Sequence, residues 1–151
     1  MSSKYVRDSI LAFIASELPT EKLIDLTADF EDIQDLMASE GITMNDPWLG
    51  IQFIGSEEVP VDILSTNTKG RYREIGTIYI HVVEVARIGV HNPILVRAEA
   101  IRNKFRGQRI NNDVIIEQVG PPSFGDGASL SFSSGYSSGT ITLFYQRDLT
   151  L

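Results

Sequence analysis

The chain has 151 residues, a formal net charge of −7 at pH 7, 42% hydrophobic residues and no cysteine. This length is sufficient for one domain with its own hydrophobic core. A sequence without cysteine excludes a disulfide framework, a thiolate metal site and a cysteine nucleophile. The apolar runs are far shorter than the roughly 20 residues of a membrane helix, so no membrane segment is expected.

Charge is unevenly distributed along the chain. Residues 1–46 hold ten acidic and three basic residues, whereas residues 69–109 hold nine basic and three acidic ones. The negative total argues against a dedicated DNA-binding protein, because neutralising phosphates supplies most non-specific affinity. Two readings stay open: the oppositely charged segments face one another within the fold, or they meet across a subunit contact.

The N-terminal part predicts a helix followed by an irregular acidic segment. The helix spans residues 4–18, with Ser2 or Ser3 as its cap and Pro19 at its end. Residues 20–46 predict one short helix inside an irregular segment, or alternatively a solvated loop around the core. The short helix would use Phe30, Ile33, Leu36 and Met37, with Thr27 or Asp29 near its cap and Gly41 as its stop.

Two strands follow, separated by a segment without periodicity. Residues 48–55 and 74–86 are rich in β-branched and aromatic residues, which favours strands. Both the odd-numbered and the even-numbered residues of the second strand are largely apolar, so we expect this strand to be central in its sheet or covered on both faces. Residues 56–72 predict a long loop joining the two antiparallel strands.

The next segment predicts an amphipathic helix with a defined start and end. Asn92 is suited to the N-cap, Pro93 to the first helical position and Gly107 to the C-terminal stop. One apolar stripe at helical spacing is formed by Ile94, Ala98, Ile101 and Phe105.

A third strand over residues 113–119, a connecting loop over residues 120–139 and a fourth strand over residues 140–145 complete the chain. The predicted order is α-β-β-α-β-β, within a single α+β domain over residues 1–151. We expect an antiparallel (mixed) four-stranded sheet with two main helices packed on one face and long hairpin loops.

No convincing catalytic constellation is present. Residues 135–139 read GYSSG and match the G-x-S-x-G nucleophile elbow, which requires a sharp turn between a strand and a helix. Here strand residues follow Ser137, and both histidines, His81 and His91, precede it, so a serine hydrolase is only a remote alternative. Two histidines without a neighbouring cysteine do not complete a closed zinc site unless acidic residues from elsewhere join them. We therefore expect a protein that is not an enzyme and holds no cofactor or metal.

Several phrases resemble the tail terminator family of long-tailed (siphovirus-type) bacteriophages. They are PWLGIQF at 47–53, GRYREIGTIYIHV at 70–82, ILVRAEAIRNKFRGQRI at 94–110, and VIIEQVGPPSFGDG with GYSSGTITLFYQRD up to residue 148. The match covers about two-thirds of the chain and is a pattern of elements. Residues 20–46 depart from it, because they are longer and more acidic than the family pattern.

The resemblance implies a structural protein of the virion. Such a protein forms a ring, commonly a hexamer, on the completed tail tube, stops tube polymerisation and offers a joining surface to the head–tail connector protein. The implied partners are further copies of this chain, the major tail tube protein and the connector, with DNA only passing through the bore. The implied location is the head-proximal end of the tail, and the host cytoplasm during assembly. The alternative is another virion head–tail joining or tail-completion protein.

Charged and aromatic residues in or beside the two long predicted loops are candidates for the subunit or tube interface, because long loops on a rigid sheet usually bind a partner. These candidates are Glu57, Glu58, Lys69, Arg71, Arg73, Phe124, Asp126 and Tyr136.

Overall fold

The computed structural model describes residues 3–27, 37–42, 46–60, 71–85, 92–124 and 136–150. At positions 71, 85, 92, 93, 123, 124, 136, 137, 149 and 150 it describes the backbone alone. The elements in chain order are α1 (Lys4–Glu17), β1 (Leu23–Asp25), β2 (Trp48–Pro60), β3 (Arg71–Val85), α2 (Asn92–Phe105), β4 (Arg109–Ile110), β5 (Val114–Val119), β6 (Ser123–Phe124) and β7 (Tyr136–Thr150).

One mixed sheet dominates the structure. Its strand order is β1-β2-β3-β7-β5-β4, and β6 pairs with β7 beside this path. The pairing of β1 with β2 is parallel and the remaining pairings are antiparallel. The sheet curls into a half-barrel. The strand β3, with 15 residues, lies between β7, which also has 15, and β2, which has 13.

The predicted fold class is wrong. A four-stranded sheet with two main helices packed on one face was expected, in the order α-β-β-α-β-β, whereas the structure is mostly sheet, with six strands on its main path and few helices. Three short strands, β1, β4 and β6, account for part of the difference. Each has two or three residues, too few for a period-2 pattern to be recognised in the sequence.

The strand boundaries correct two predicted loops. Residues 56–60 belong to β2 and residues 71–72 to β3, although residues 56–72 were expected to be a loop. Residues 136–139 belong to β7 and residues 123–124 to β6, inside the other expected loop. These residues are held as strand by hydrogen bonding to a neighbouring strand, which their own polar or glycine-rich pattern does not reveal. Residues 61–70 and 125–135 lie outside the described part.

The core lies between the inner face of the sheet and the two helices. The predicted helix stripe is confirmed: Ile94, Ala98, Ile101 and Phe105 are all buried. The rings of Phe13 in α1 and Phe105 in α2 have their centroids 5.1 Å apart. On the sheet, the inner face is the one that carries Leu49, Ile51, Phe53, Ile78, Ile80, Val82, Val114, Ile116, Ile141, Leu143 and Tyr145.

The helix ends follow the chemistry of the sequence. Ser3 caps α1, since its hydroxyl oxygen accepts a hydrogen bond from the Val6 N–H. After α2 the backbone of Gly107 adopts φ +69°, a conformation that glycine adopts without steric cost. Within the described residues, neither helix combines the length and the hydrophobicity needed to cross a bilayer.

A second cluster covers one end of the outer face, the face opposite the core. It joins residues of the acidic N-terminal segment to Trp48 of β2 and Val83 of β3, and so gives that segment a packing role. Residues 37–39 form a helical turn, and Gly41 follows with φ +73°. The predicted helix residues Phe30, Ile33 and Leu36 lie outside the described part. The cluster consists of Ile24, Leu26, Met37, Ile42, Trp48 and Val83.

The packing of α2 on the sheet predicts the cost of truncating Phe105. Phe105→Ala should lower the free energy of unfolding by about 3–5 kcal/mol, as large-to-small core substitutions do. Urea unfolding followed by circular dichroism measures this change. The matched control is Val96→Ala on the same helix, where the side chain is 68% exposed and the change should stay within about 0.5 kcal/mol. Equal midpoints for Phe105→Ala and the wild type would show that this packing is wrong.

Candidate assembly surface

The structure divides the predicted interface residues between two ends of the sheet. Glu57 and Glu58 lie on β2 beside Ile75 and Glu74 of β3, near the start of β3, where Arg71 and Arg73 also lie. Tyr136 pairs with Val85 at the other end of β3, and Phe124 pairs with Gly139 close to it. At about 3.3 Å per residue, ten residues of β3 separate these ends by roughly 30 Å. Lys69 and Asp126 lie outside the described residues.

Arg73 is held within its own subunit. Its guanidinium donates two hydrogen bonds to Asp148 of β7, with Nε–Oδ1 and Nη2–Oδ2 distances of 2.7 and 3.2 Å. The side chains are 37% and 55% exposed, so this pair contributes little to stability. A contact of Arg73 with a neighbouring subunit stays a prediction, and it would have to share or displace Asp148.

The acidic and basic segments meet within the fold. Arg97 of the basic segment forms ion pairs with Glu21 of the acidic segment and with Glu84 of β3. Burial acts to lower the pKa of Arg97, but the two carboxylates outweigh it and the pKa is raised. Lys104 also lies 3.8 Å from Glu17 of α1. The intramolecular reading of the charge pattern therefore holds for these pairs.

A groove of about 420 Å³ opens where β2, β3, β7 and β5 lie side by side. The outer-face side chains of Glu57, Ile75, Thr77 and Phe144 line it, together with Glu117 at the irregularity in the pairing of β5 with β7. The Phe144 side chain is 39% exposed, which is high for a phenylalanine. The groove thus combines apolar side chains with two carboxylates.

The wall of the groove depends on a glycine beside a buried tyrosine. A Cβ atom at Gly76 would lie 2.5 Å from the Tyr145 hydroxyl oxygen, too close for any other residue unless the ring moves. The same hydroxyl donates a hydrogen bond of 2.8 Å to the carboxylate of Glu74, which is only 2% exposed. This hydrogen bond offsets part of the desolvation of a buried carboxylate.

Sequence reasoning missed this groove, because its residues come from strands that are distant in the chain. One signal was available: Gly76 interrupts a run of strand-forming residues, and an isolated glycine in a strand often marks a close approach of another group.

His81 lies in β3 on the outer face and is fully buried. Its Nε2 donates to the Gln52 side-chain oxygen at 3.2 Å, and its Nδ1 then accepts from the Thr140 hydroxyl at 2.9 Å. Burial lowers the pKa of His81 to about 4, so the ring is neutral at physiological pH. The histidine acts here as a neutral hydrogen-bonding link between three strands. His91 lies outside the described residues.

Ser137 is not placed on a nucleophile elbow. It lies within β7, paired with Glu84 of β3, whereas the elbow needs a turn between a strand and a helix. The expectation that Ser137 lies in a loop is also wrong, for the same reason. In the described ranges, no three histidine, aspartate or glutamate side chains are grouped so that they could hold a metal ion.

The hydrogen bond between Tyr145 and Glu74 predicts a coupled loss of stability. Tyr145→Phe should lower the free energy of unfolding by about 1–3 kcal/mol, because the buried carboxylate loses this donor. Urea unfolding of Tyr145→Phe, Glu74→Gln and the double variant completes a double-mutant cycle. The two effects should fall short of additivity by at least about 0.5 kcal/mol. Additive effects would mean that the two side chains act independently.

The lowered pKa of His81 predicts a pH-dependent stability. In the unfolded chain the His81 ring binds a proton below about pH 6.5, whereas in the native state it binds one only below about pH 4. The native state should therefore lose stability as the pH falls through this window, and this residue should add no pH dependence above it. Relative to His81→Gln, the wild type should lose about 2 kcal/mol between pH 7 and pH 5, measured by urea unfolding. If the difference in the free energy of unfolding between the wild type and His81→Gln is the same at pH 7 and pH 5, the His81 ring is not buried in its neutral form.

No protein-family model matches the chain, and no curated protein matches it. Among solved structures, 15 chains match. One of them, named by a sequence identifier alone, has a TM-score of 0.54 and 15% sequence identity, over 100% of this chain and 99% of that chain. At this identity, the likeness indicates a shared fold and carries no information about function.

Proposed function

We propose that this protein is a tail terminator of a long-tailed bacteriophage, a structural protein that caps the completed tail tube as a ring. The primary support is the resemblance of its sequence phrases to that family. In the structure, residues 48–53 form the first part of β2, residues 71–82 form most of β3, and residues 94–110 run through α2 into β4.

Within the structure, the observation that supports the proposal is the extension of three paired strands at one end of the sheet. There the start of β3 pairs with residues 56–60 of β2 along one edge and with residues 145–150 of β7 along the other. The β2 residues of this end, from Glu57 to Pro60, are all exposed. Strands that are paired in this way keep their shape when they contact a partner. This rigidity suits a subunit that must make the same contact with the tube at every position of a ring. We therefore assign this end of the sheet to contacts with neighbouring subunits or the tube.

The electrostatics are compatible with a ring around DNA. The chain carries a net charge of −7, and an acidic wall repels phosphates instead of holding them. The alternative, another head–tail joining or tail-completion protein, would need similar surfaces. The two functions differ in what happens to tail length, so that quantity decides between them.

Tail length in particles made without this protein tests the proposal. When the gene for this protein is deleted from the phage genome, electron micrographs of the lysate should show tails of irregular and excessive length, because tube subunits continue to add. Normal tails beside unattached heads would contradict the terminator and favour the joining protein.

Complementation from a plasmid connects this result to the exposed end of β2. The wild-type gene and a Glu40→Lys control, altered at another exposed position, should restore normal length. The double variant Glu57→Lys/Glu58→Lys should not restore it. Its urea midpoint should stay at or above that of the wild type, because Glu58 lies directly opposite Glu74 and the change removes a pair of like charges.

A further inference from the structure

The groove lies between two β-bulges at the same level of the sheet. In β2 the register with β3 shifts over residues 53–56, and in β5 the register with β7 shifts over residues 116–118. Both shifts lie beside the row in which Thr77 of β3 pairs with Phe144 of β7. Bulges are frequent next to functional sites, where they re-aim side chains. Residues of both bulges line the groove, so the two irregularities form its opposite sides.

The floor of the groove is apolar and its two sides are acidic. Ile75 and Phe144 are diagonal neighbours on β3 and β7, because Ile75 pairs with Gln146. Glu57 of β2 lies directly beside Ile75. Glu117 lies on the far side of Phe144, in the bulge of β5. Both glutamates are exposed, so the order across the sheet is acid, apolar, apolar, acid.

The spacing of the two glutamates fits two cations on one extended chain. Glu57 and Glu117 lie on strands separated by two others, which places their backbones roughly 14 Å apart at about 4.8 Å for each strand spacing. In an extended chain, residues i and i+4 point to the same side and lie about 13 Å apart. A basic side chain at each of these positions can therefore reach one carboxylate, while the side chain at i+2 lies above Ile75 and Phe144.

We infer that the groove binds an extended segment of a partner protein that carries basic, apolar and basic side chains at positions i, i+2 and i+4. The segment lies across the strands, with its apolar side chain on Ile75 and Phe144 and its cations at Glu57 and Glu117. Apolar burial supplies affinity, and the carboxylates select against neutral and acidic segments. The inference does not depend on the proposed function, because it concerns binding by the isolated subunit.

The partner segment does not come from a second copy of this chain. In the 151 residues, basic residues stand four positions apart in two places, at 69–73 and at 102–106. The middle position is Arg71 in the first and Lys104 in the second, and neither side chain is apolar. The pattern that fits the groove therefore belongs to a different protein.

The basic residues nearest to the groove have contacts of their own. Arg73, next to Ile75 on the outer face after one intervening residue, binds the carboxylate of Asp148. Arg109 of β4 donates a hydrogen bond of 3.4 Å to the carbonyl oxygen of Asn112. The lining of the groove itself includes no basic residue. The cations that pair with its carboxylates are therefore supplied by the partner.

NMR titration of the isotope-labelled protein with a short peptide tests the inference. The probe is the capped peptide Gly-Arg-Thr-Leu-Thr-Arg-Gly, in which two arginines flank a leucine at the required spacing. The backbone amide signals of residues 55–57, 75–77 and 144 should shift, with a dissociation constant on the order of 1 mM. The matched control is Gly-Leu-Thr-Arg-Arg-Thr-Gly, which has the same composition but adjacent arginines. It should bind several-fold more weakly.

Variants of the protein locate the site. Glu57→Gln and Glu117→Gln should each weaken binding of the probe several-fold, because each removes one carboxylate. Gly55→Leu should abolish binding by filling the groove, and it should fold, since a Cβ atom at Gly55 meets no atom within 4 Å. Glu40→Gln, altered at another exposed position, should leave the affinity unchanged. Equal urea midpoints verify that the variants are folded.

The inference is overturned if the probe causes no shifts at about 5 mM, several times the expected dissociation constant. Equal binding of the control peptide, or binding of the probe to Gly55→Leu with unchanged affinity, would overturn it as well. Unchanged affinity in both glutamine variants would reject the flanking carboxylates. Tail length in the gene deletion does not enter these results, so failure of this inference and failure of the terminator proposal are distinguishable.

Discussion

The whole structure depends on the pairing of β3 along both of its edges. Its fifteen residues pair with β7 from Arg71 to Val85, and most of them also pair with β2. Backbone N–H and C=O groups of a buried strand need partners, and these two neighbours supply them. Because side chains alternate along a strand, this single strand fixes which residues of the whole sheet face the helices and which face outward.

The two faces that β3 defines are filled in different ways. The inner face is covered by α1 and α2 along the core. Among the described residues, the outer face is covered at one end by the cluster around Trp48 and Val83, next to the buried His81. Farther along, the groove stays open, and its shape depends on the contact of Gly76 with Tyr145.

The sequence predicted the elements whose pattern is set by burial and missed those held by neighbouring strands. The stripe of α2, the cap at Ser3 and the strand over residues 114–119 were predictable, since each is encoded in local spacing or capping chemistry. The exposed end of β2 from Glu57 to Pro60 was not, because two glutamates and a proline have low strand propensity. The groove was not predictable either, because its residues come from four strands that are brought together only in the folded sheet.

Charge has a narrower role in association than the sequence suggests. Arg97 is committed to Glu21 and Glu84 inside the subunit, and Arg73 to Asp148, so these residues offer little to a second copy. In the described residues, the acidic and basic segments meet in two pairs, Arg97 with Glu21 and Lys104 with Glu17. What the described surface offers for association is local: an apolar groove with the carboxylates of Glu57 and Glu117 beside it. A contact of this kind derives its affinity mainly from apolar burial, while its few charges set the orientation. Its affinity should therefore weaken only modestly with salt, whereas a contact between whole charged segments would weaken steeply.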